Sequence, residues 1–543
     1  MSALLSAWNI GRTQLLLRNH QDVSSRCRRW LSTTTLHPSI SGFATRLCEK
    51  QPVFAVPPSK IQVLSQPKDF YALLLVRRNA FSEHQNMIQH AERRVFLSSL
   101  YIGSEEKELL ASLKDALHKK PLLHVYLQLD LNRSTRPGAS TAQLLQPLLE
   151  QYPERVHVSL FRSPHLRGVL AKVVPPRFNE GWGTWHAKVY GADDDVMISG
   201  ANLNMSYFTD RQDRYIHFSA QPHVAEYCFD FLQTVSSFSF KLLPRSSTIR
   251  TSDHPHSIGD SLLWPDASTH PHHIHHKAQL ALTTLQETYR HRPVASDDST
   301  PQVLIFPVIQ AGQFGVREEE NALALLFKHL QLYGGESGQR PLVDLTSGYF
   351  GLYRPYQELI LASKNVDTSI IAASPKANGF YGSSGISGRI PEGYTLLEQR
   401  FMRAVRQAGR QADVRLHEWH REGWTYHAKG IWVSPSPTEP PVLTLFGSTN
   451  LNSRSAHIDT ELSFIMVIPS DGDASASQRP PDSASHQSPE PANSEQPDAL
   501  MALRRRLAEE VRDLRAHAGP WQGDKRHVRI GTKAIVGVVG GML

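Results

Sequence analysis

Apolar residues along the chain alternate between short unbroken runs and longer stretches with helical spacing, in two successive halves. In the first half, residues 94–101 predict a buried strand, and residues 105–118 follow with the spacing of an amphipathic helix. In the second half, residues 318–332 have helical spacing, and residues 368–373 predict a strand that we take as the counterpart of the one at 95–101. Strands alternating with helices predict an α/β fold in each half.

These patterns and the local composition divide the chain into six segments. They are an N-terminal leader (1–48), a first α/β unit (53–243), a linker (244–276), a second α/β unit (277–469), a disordered Ser/Pro/Asp-rich segment (470–498), and a C-terminal amphipathic helix and tail (499–543). For the last segment, packing against the core and contact with an anionic membrane are both open. No apolar run reaches the roughly 18 residues that span a bilayer, so we expect any membrane contact to be peripheral.

The leader has the composition of a mitochondrial targeting peptide. It contains six arginines and frequent Ser and Thr, with Asp22 as its single acidic residue. Targeting peptides of mitochondria are amphipathic, rich in Arg and Ser and poor in acidic residues. A disordered basic tail is the alternative interpretation of this segment.

Charge and cysteine content narrow the class of function. A net charge of +7 over 543 residues indicates an anionic partner, such as a phosphate substrate, a nucleic acid or an acidic membrane surface. Three cysteines exclude a disulfide framework and a multi-cysteine zinc site. The seven histidines of the linker lack the fixed spacing of metal ligands and indicate a variable loop. We therefore expect no metal site.

One motif occurs twice, and it is the strongest indication of function in the sequence. Each copy has an aromatic residue followed by His-Ala-Lys, then Asn-Leu-Asn, and then a carboxylate 11 residues after the first Asn. The residues are Trp185, His186, Lys188, Asn202 and Asp213 in the first copy, and Tyr426, His427, Lys429, Asn450 and Glu461 in the second. An internal repeat of this length predicts two similar units that meet and share one site.

Two histidines and two lysines suit an in-line exchange at a phosphodiester without a metal ion or cofactor. His186 is the expected nucleophile, and His427 the expected general acid and then base, although the repeat permits the reverse order. Charge that develops on the phosphoryl oxygens needs fixed donors, which the lysines and asparagines of both copies supply. The carboxylates Asp213 and Glu461 are expected to orient the imidazoles.

The first copy, His186-x-Lys188-x4-Asp193, resembles the full motif of the phospholipase D superfamily. The second copy resembles it in part, with Gly447-Ser448-Thr449-Asn450 present and Ser434 in place of the aspartate. The resemblance implies two pseudo-twofold-related units, each a mixed β-sheet flanked by helices, with the active site at their interface. It also implies that Asp193 anchors the first motif structurally.

Further residues resemble the eukaryotic phosphatidylglycerophosphate synthase branch of that superfamily, over roughly residues 55–465. They are Ser199-Gly200-Ala201-Asn202-Leu203, Arg211-Gln212-Asp213-Arg214-Tyr215 and Ser374-Pro375-Lys376-Ala377-Asn378-Gly379-Phe380. This resemblance implies transfer of a phosphatidyl group from CDP-diacylglycerol to sn-glycerol 3-phosphate, peripherally on the matrix side of the inner mitochondrial membrane, toward phosphatidylglycerol and cardiolipin. The expected ligands of the second phosphate of the substrates are Arg133, Arg136, Lys376 and Arg454.

Two alternatives remain at this stage. The site could hydrolyse phosphodiesters, as a phospholipase D or a mitochondrial nuclease does. The partial second motif resembles tyrosyl-DNA phosphodiesterases, but these lack the aspartate in both copies, whereas Asp193 is present here, so we expect no nucleic-acid partner. A non-enzymatic lipid-binding scaffold is the second alternative, because Ser434 departs from the motif.

Overall fold

The computed structural model describes residues 35–75, 86–167, 174, 179–292, 301–470 and 495–539, which form two large β-sheets with helices packed on them. The strands up to the linker are β1 (Phe54–Val56), β2 (Ile61–Leu64), β3 (Arg94–Ser98), β4 (His124–Asp130), β5 (Val156–Phe161), β6 (Val189–Ala192), β7 (Asp195–Ser199), β8 (Arg211–Gln212), β9 (Tyr215–Phe218), β10 (Phe240–Leu242) and β11 (Leu262–Leu263). The later strands are β12 (Val303–Ala311), β13 (Val316–Arg317), β14 (Leu342–Ser347), β15 (Asp367–Ala373), β16 (Val414–Trp419), β17 (Thr425–Tyr426), β18 (Lys429–Ser434), β19 (Leu443–Gly447), β20 (Glu461–Val467) and β21 (Ala518–Pro520).

Helices cover the faces of both sheets. The α-helices are α1 (Pro38–Cys48), α2 (Pro67–Leu75), α3 (Met87–His90), α4 (Lys107–Lys119), α5 (Leu131–Ser134), α6 (Thr141–Gln151), α7 (Ser206–Thr209), α8 (Pro222–Ser236), α9 (His275–Arg290), α10 (Glu318–Ser337), α11 (Arg354–Ala362), α12 (Ile390–Gln407), α13 (Ser453–His457), α14 (Glu495–Ala516) and α15 (Ile530–Val539). Within the described residues, no helix combines the length and the apolar character that a membrane span requires.

The two sheets repeat one arrangement. The first has the strand order β11-β10-β5-β4-β3-β6-β7-β9-β2, and the second has β1-β12-β20-β19-β18-β14-β15-β16-β21, with β13 paired to β12. In each sheet three strands are parallel (β3, β4, β5 and β14, β15, β16), and an antiparallel set continues from the first of them. The predicted fold class, two related units with mixed sheets flanked by helices, is confirmed.

The repeat corrects one predicted equivalence. Strand β15 is parallel to β14 on one side and to β16 on the other, so its counterpart is β4 rather than the strand at 95–101. The counterpart of that strand is β14, which the sequence pattern did not reveal. Its segment, Leu-Val-Asp-Leu-Thr-Ser, carries Asp344 and Thr346 on buried positions, and these polar residues interrupt the apolar run that marks a buried strand.

The segment boundaries also differ from those predicted. The leader was placed at 1–48, but residues 38–48 form α1, whose Ile40, Phe43 and Leu47 are buried against α10. Its basic composition hid the apolar helical face that packs there. Residues 1–34 lie outside the described residues, and so does the targeting prediction that rests on them.

The units are less separate in sequence than the boundaries 53–243 and 277–469 imply. Strand β1 pairs with β12 and therefore belongs to the second sheet. Part of the linker, residues 262–263, forms β11 at the edge of the first sheet, with Trp264 buried beside it. Helix α9 packs on α8 of the first unit. The chain thus crosses between the sheets repeatedly.

The C-terminal segment packs on the protein in this structure. Leu503, Leu507 and Val511 of α14 are buried in the same core cluster as the first sheet. Strand β21 extends the second sheet by pairing with β16, and α15 packs on α12. Of the segment 470–498 that was predicted to be disordered, residues 495–498 instead begin α14, and residues 471–494 lie outside the described residues.

Candidate active site

The two repeated motifs lie where the units meet, and backbone hydrogen bonds between the units hold them there. The N–H of His186 donates to the carbonyl of Thr460 at 3.0 Å, and the N–H of His427 donates to the carbonyl of Gln212 at 2.8 Å. The short parallel pair β8–β17 adds a second link between the units beside His427. Each histidine is thereby fixed by a segment of the opposite unit.

Each imidazole is paired with a carboxylate from the other unit. Nδ1 of His186 lies 2.9 Å from Oε2 of Glu461, and Nδ1 of His427 lies 2.7 Å from Oδ2 of Asp213. All four side chains are buried. A carboxylate at Nδ1 fixes the ring orientation and leaves Nε2 for chemistry. The pairs are crossed: the carboxylate that follows one motif serves the histidine of the other.

The electrostatics of the pairs differ. Burial lowers the pKa of His186, and burial together with the charge of Lys429 lowers the pKa of His427 well below its ordinary value. Burial would raise the pKa of Glu461, but the hydrogen bonds from His186 and Ser448 and the charge of Lys188 outweigh burial and hold that pKa low. Burial raises the pKa of Asp213 to about 6. Both imidazoles are therefore neutral at neutral pH, and Glu461 is the more firmly ionised carboxylate.

Two hydroxyl groups complete the surroundings of Glu461. Ser455 Oγ donates to Glu461 Oε1 at 2.6 Å, and Ser448 Oγ donates to Oε2. Hydroxyl donors stabilise the charged form of a carboxylate. Ser448 belongs to the Gly-Ser-Thr-Asn stretch noted in the sequence, and this bond gives that stretch a role in orienting His186.

The motif lysines are buried between the units. Lys188 Nζ donates to the carbonyl of His186 at 2.5 Å, and Lys429 Nζ lies 2.9 Å from Nδ1 of His427. Burial lowers the pKa of Lys429 to about 8 and that of Lys188 well below its ordinary value. A Cβ at Gly200 would lie 2.5 Å from Asp213 Oδ1 and 3.0 Å from Lys429 Nζ, which explains the glycine there.

Asp193 acts away from the histidines, in the turn between β6 and β7. Its backbone has φ 50°, and its carboxylate accepts hydrogen bonds from the backbone N–H groups of Glu92, Arg93 and Arg94 at 2.7–2.9 Å. These bonds tie the hairpin that follows the motif to the start of β3. At the matching place Ser434 ends β18.

The two motif asparagines differ in their contacts. Nδ2 of Asn202 donates to Tyr207 Oη at 3.0 Å, and its Oδ1 accepts from the N–H of Leu100 at 3.3 Å. Oδ1 of Asn450 is buried and has no hydrogen-bond partner in the described part of the chain. Asn450 thus has an unused acceptor oxygen, whereas both side-chain atoms of Asn202 are hydrogen-bonded to other parts of the protein.

Three of the four predicted phosphate-binding residues gather around one glutamate that the sequence analysis did not single out. Arg136 forms an ion pair with Glu180, and Arg133 Nε lies 3.7 Å from the same carboxylate oxygen. Burial would lower the pKa of Arg454, but the charge of Asp459 and then that of Glu180 outweigh burial and raise it. Arg454 also pairs with Asp459 at 2.9 Å. Lys376 is exposed in the turn Pro375–Ala377.

One group of side chains has the spacing of metal ligands. The ligand atoms of His186, Asp459 and Glu461 lie within 4.8 Å of one another. Each is already engaged: Glu461 by the imidazole and two hydroxyls, and Asp459 by Thr184 and Arg454. The adjacent cations Lys188 and Arg454 further oppose a bound metal ion. The donor set therefore suits hydrogen bonding better than metal coordination.

Two tyrosines border His427 and were missed from the sequence. Tyr207 Oη lies 3.4 Å from Nε2 of His427, and the ring of Tyr349 meets the imidazole edge-on at a centroid distance of 5.3 Å. Tyr207 lies five residues after Asn202 of the first motif, and this closeness in sequence is the only sign in the sequence that it could be near the site. Tyr349 follows β14, the strand that was not predicted.

Comparison with known proteins bears directly on this site. No family model matches the chain. It is 34% identical over 502 residues to the mitochondrial CDP-diacylglycerol–glycerol-3-phosphate 3-phosphatidyltransferase of Gallus gallus, covering 84% of this chain and 86% of that one. It is 35% identical to proteins of the same name from Schizosaccharomyces pombe (77% and 86% covered) and Homo sapiens (77% and 75%). The chain belongs to this phosphatidyltransferase family.

A solved structure supports the fold assignment. The crystal structure of phosphatidylserine synthase from Haemophilus influenzae aligns with 92% of this chain and 97% of its own at a TM-score of 0.62, with 17% identity. At that identity the likeness concerns the fold. Membership of the phosphatidyltransferase family and this fold agree with the two-unit arrangement that the repeated motif predicted.

Proposed function

We propose that this protein transfers the phosphatidyl group of CDP-diacylglycerol to sn-glycerol 3-phosphate, giving phosphatidylglycerophosphate and CMP. The observation that carries the proposal is the pair of crossed imidazole–carboxylate contacts at the interface of the units. The names of the relatives supply the substrates. Such transfer would lead toward phosphatidylglycerol and cardiolipin.

In the first half of the proposed reaction, Nε2 of His186 attacks the phosphorus of the phosphatidyl group. Its Nδ1–H is held by the ionised Glu461, so the Nε2 lone pair is free and the positive charge that develops on the ring is stabilised. A P–N bond forms and the P–O bond to CMP breaks, with its electron pair remaining on the nucleotide oxygen. His427, protonated while anionic phosphates occupy the site, gives that oxygen a proton.

In the second half, His427 accepts the proton of the incoming glycerol hydroxyl, whose oxygen attacks the phosphorus. The P–N bond breaks, and its electron pair returns to His186. Lys188 Nζ donates to the carbonyl of His186 and Lys429 Nζ lies beside the imidazole of His427, so both would stabilise the equatorial oxygens in both halves. The side-chain N–H of Asn450 would be a further donor. Asn202 would act mainly by positioning Tyr207, to whose hydroxyl its Nδ2 donates a hydrogen bond. These steps require neither a metal ion nor a cofactor.

The test is an acceptor assay with CDP-diacylglycerol labelled in the phosphatidyl phosphate. We expect labelled phosphatidylglycerophosphate only when sn-glycerol 3-phosphate is present, and little label in phosphatidic acid when water is the only acceptor. Rapid release of phosphatidic acid without glycerol 3-phosphate would establish a phospholipase-type hydrolase instead. Cleavage of a labelled phosphotyrosyl-DNA oligonucleotide would establish the nuclease alternative.

Glu180 is expected to compete with the acceptor phosphate for Arg133 and Arg136. In the Glu180→Gln variant we expect the KM for glycerol 3-phosphate to fall about threefold to tenfold, because removing one partly exposed ion pair changes affinity by that order. The measurement is a titration of initial rates against glycerol 3-phosphate.

A matched control is Glu320→Gln. Glu320 lies on α10 and pairs with Arg317, and its replacement should leave the KM for glycerol 3-phosphate unchanged. If Glu180 instead holds the two arginines in the orientation that binds phosphate, the KM for glycerol 3-phosphate should rise in Glu180→Gln. That result would contradict competition between the carboxylate and the acceptor.

We further propose that the protein acts peripherally on the matrix side of the inner mitochondrial membrane. The basic leader and the mitochondrial designation of several relatives support this location. Import of the full chain into isolated mitochondria, followed by carbonate extraction, would test both parts. Resistance of the imported protein to carbonate would contradict peripheral attachment.

A further inference from the structure

Arg211 is a cation beside His427 that forms no ion pair with a carboxylate in the described part of the chain. The one carboxylate whose pKa its charge lowers, Asp213, is already engaged by Nδ1 of His427 at 2.7 Å. Its Nε donates to Thr425 Oγ1 at 2.9 Å, and its guanidinium carbon lies 4.4 Å from the centroid of the Tyr207 ring. That ring meets the imidazole of His427 edge-on at a centroid distance of 5.1 Å. Among the described residues, no Asp or Glu lies within the 4.0 Å of an ion pair with Arg211.

The other arginines around the site are each neutralised by a protein carboxylate. Arg454 pairs with Asp459, Arg133 and Arg136 share Glu180, and the buried Arg214 pairs with Glu510. A cation taken out of water without a partner is unfavourable, so such groups normally have a counter-ion. The absence of one at Arg211 indicates that an anion from outside the chain completes this position.

The tyrosines near Arg211 do not supply that charge. Burial raises the pKa of Tyr207 and of Tyr349, so both phenols stay protonated and neutral at physiological pH. Tyr207 gives the guanidinium an aromatic contact instead, which orients it without neutralising it. The cation is therefore fixed in position and still available to an anionic ligand.

Gly379 closely approaches both Arg211 and Tyr349. A Cβ at Gly379 would lie 3.4 Å from an Nη atom of Arg211 and 3.1 Å from Tyr349 Oη. Gly379 lies in the glycine-bearing loop that follows β15. A larger residue there would narrow the space between the guanidinium and Tyr349.

We propose that Arg211 binds the phosphate of the departing nucleotide, a phosphomonoester anion, at the His427 end of the site. This inference rests on the proposed function. When the P–O bond to CMP breaks, its electron pair stays on the oxygen beside His427, and the guanidinium next to that imidazole stabilises the anion formed. The phosphate of glycerol 3-phosphate lies three carbons from its reacting hydroxyl, so it would lie farther from His427 than the phosphate of CMP does.

The test measures binding of CMP to the full-length protein without lipid, by isothermal titration calorimetry. In Arg211→Gln we expect the Kd of CMP to rise about tenfold to a hundredfold, the range of a lost hydrogen bond to a charged group. Arg211→Lys should recover part of the affinity, because it keeps the charge but loses the planar fork. The KM for glycerol 3-phosphate should stay within about twofold of wild type.

Two controls keep the result interpretable. Arg354→Gln, on an exposed face of α11, should leave CMP binding unchanged, and near-ultraviolet circular dichroism should show that Arg211→Gln remains folded. Unchanged CMP affinity in Arg211→Gln, no CMP binding by the wild-type protein, or a rise in KM for glycerol 3-phosphate alone would each overturn the assignment. Because the titration needs no turnover, a failed acceptor assay with intact Arg211-dependent CMP binding would contradict the proposed function and leave this inference standing.

Discussion

Replacing His186 by Asn should abolish phosphatidyl transfer, with kcat/KM falling by at least about 10⁴-fold. The variant keeps a side chain of similar shape but removes the nucleophile, and a loss of that size corresponds to about 5 kcal/mol of barrier. His427→Asn should lower turnover by a similar factor for a different reason, because the leaving and entering oxygens lose their proton carrier. Steady-state rates measured over a range of concentrations of both substrates give kcat and kcat/KM and so measure both effects.

The two variants should differ in the covalent intermediate. With label in the phosphatidyl phosphate, His427→Asn should accumulate base-stable, acid-labile label on the protein, and His186→Asn should accumulate none. His254→Asn, in an exposed part of the linker, is the matched control and should behave as wild type. Label on His186→Asn but not on His427→Asn would reverse the roles of the histidines. A wild-type protein that never carries label during turnover would rule out the covalent route.

Breaking the Arg214–Glu510 pair should destabilise the protein by about 3–5 kcal/mol, the usual cost of leaving one buried charge without its partner. Arg214 is 2% exposed, donates to Glu510 through both Nε and an Nη atom at 2.9 Å, and stacks on Trp432. The pair connects α14 to both units, because Arg214 follows Asp213 of the first unit and also donates to the carbonyl of Leu445 in the second. Urea unfolding of Arg214→Met, followed by tryptophan fluorescence and far-ultraviolet circular dichroism, measures the loss.

The exposed pair Arg506–Glu509 on the same helix is the matched control, and Arg506→Met should change stability by less than about 1 kcal/mol. The double variant Arg214→Met/Glu510→Gln should be less unstable than the sum of the single variants, because the second change removes the unpaired charge. Equal stability of Arg214→Met and wild type would mean that α14 does not depend on this contact.

The repeated motif was enough to predict the fold class and the residues that meet at the interface. The same order of His, Lys, Asn and a carboxylate in two copies, with equal His-to-Lys and Asn-to-carboxylate spacings, predicts symmetry, and symmetry predicts a shared site. Spacing along the chain does not say which carboxylate contacts which imidazole, so the crossed pairs needed the structure. Similarly, the sequence marked Arg133, Arg136 and Arg454 as phosphate ligands but gave no sign that Glu180 already engages them.

The sequence prediction was wrong at α1 and β14 because the local amino-acid composition there did not reflect how the segments pack. The arginines and serines near residues 24–46 outweighed the apolar face of α1, so a packed helix was assigned to the leader. Polar residues on buried positions of β14 concealed that strand and shifted the equivalence of its neighbours. Arg211 was visible only as part of a motif, because the lack of a nearby carboxylate is a property of the folded chain.

The crossed pairs have a consequence for how the two halves of this chain can evolve. A duplicated gene usually frees one copy to drift, but here each half holds the partner on which the other half's histidine depends. A substitution at Glu461 would remove the hydrogen-bond partner of His186, and a substitution at Asp213 would remove that of His427. The halves should therefore accumulate change in concert at these four positions, and neither should survive as an independent gene product with the same activity.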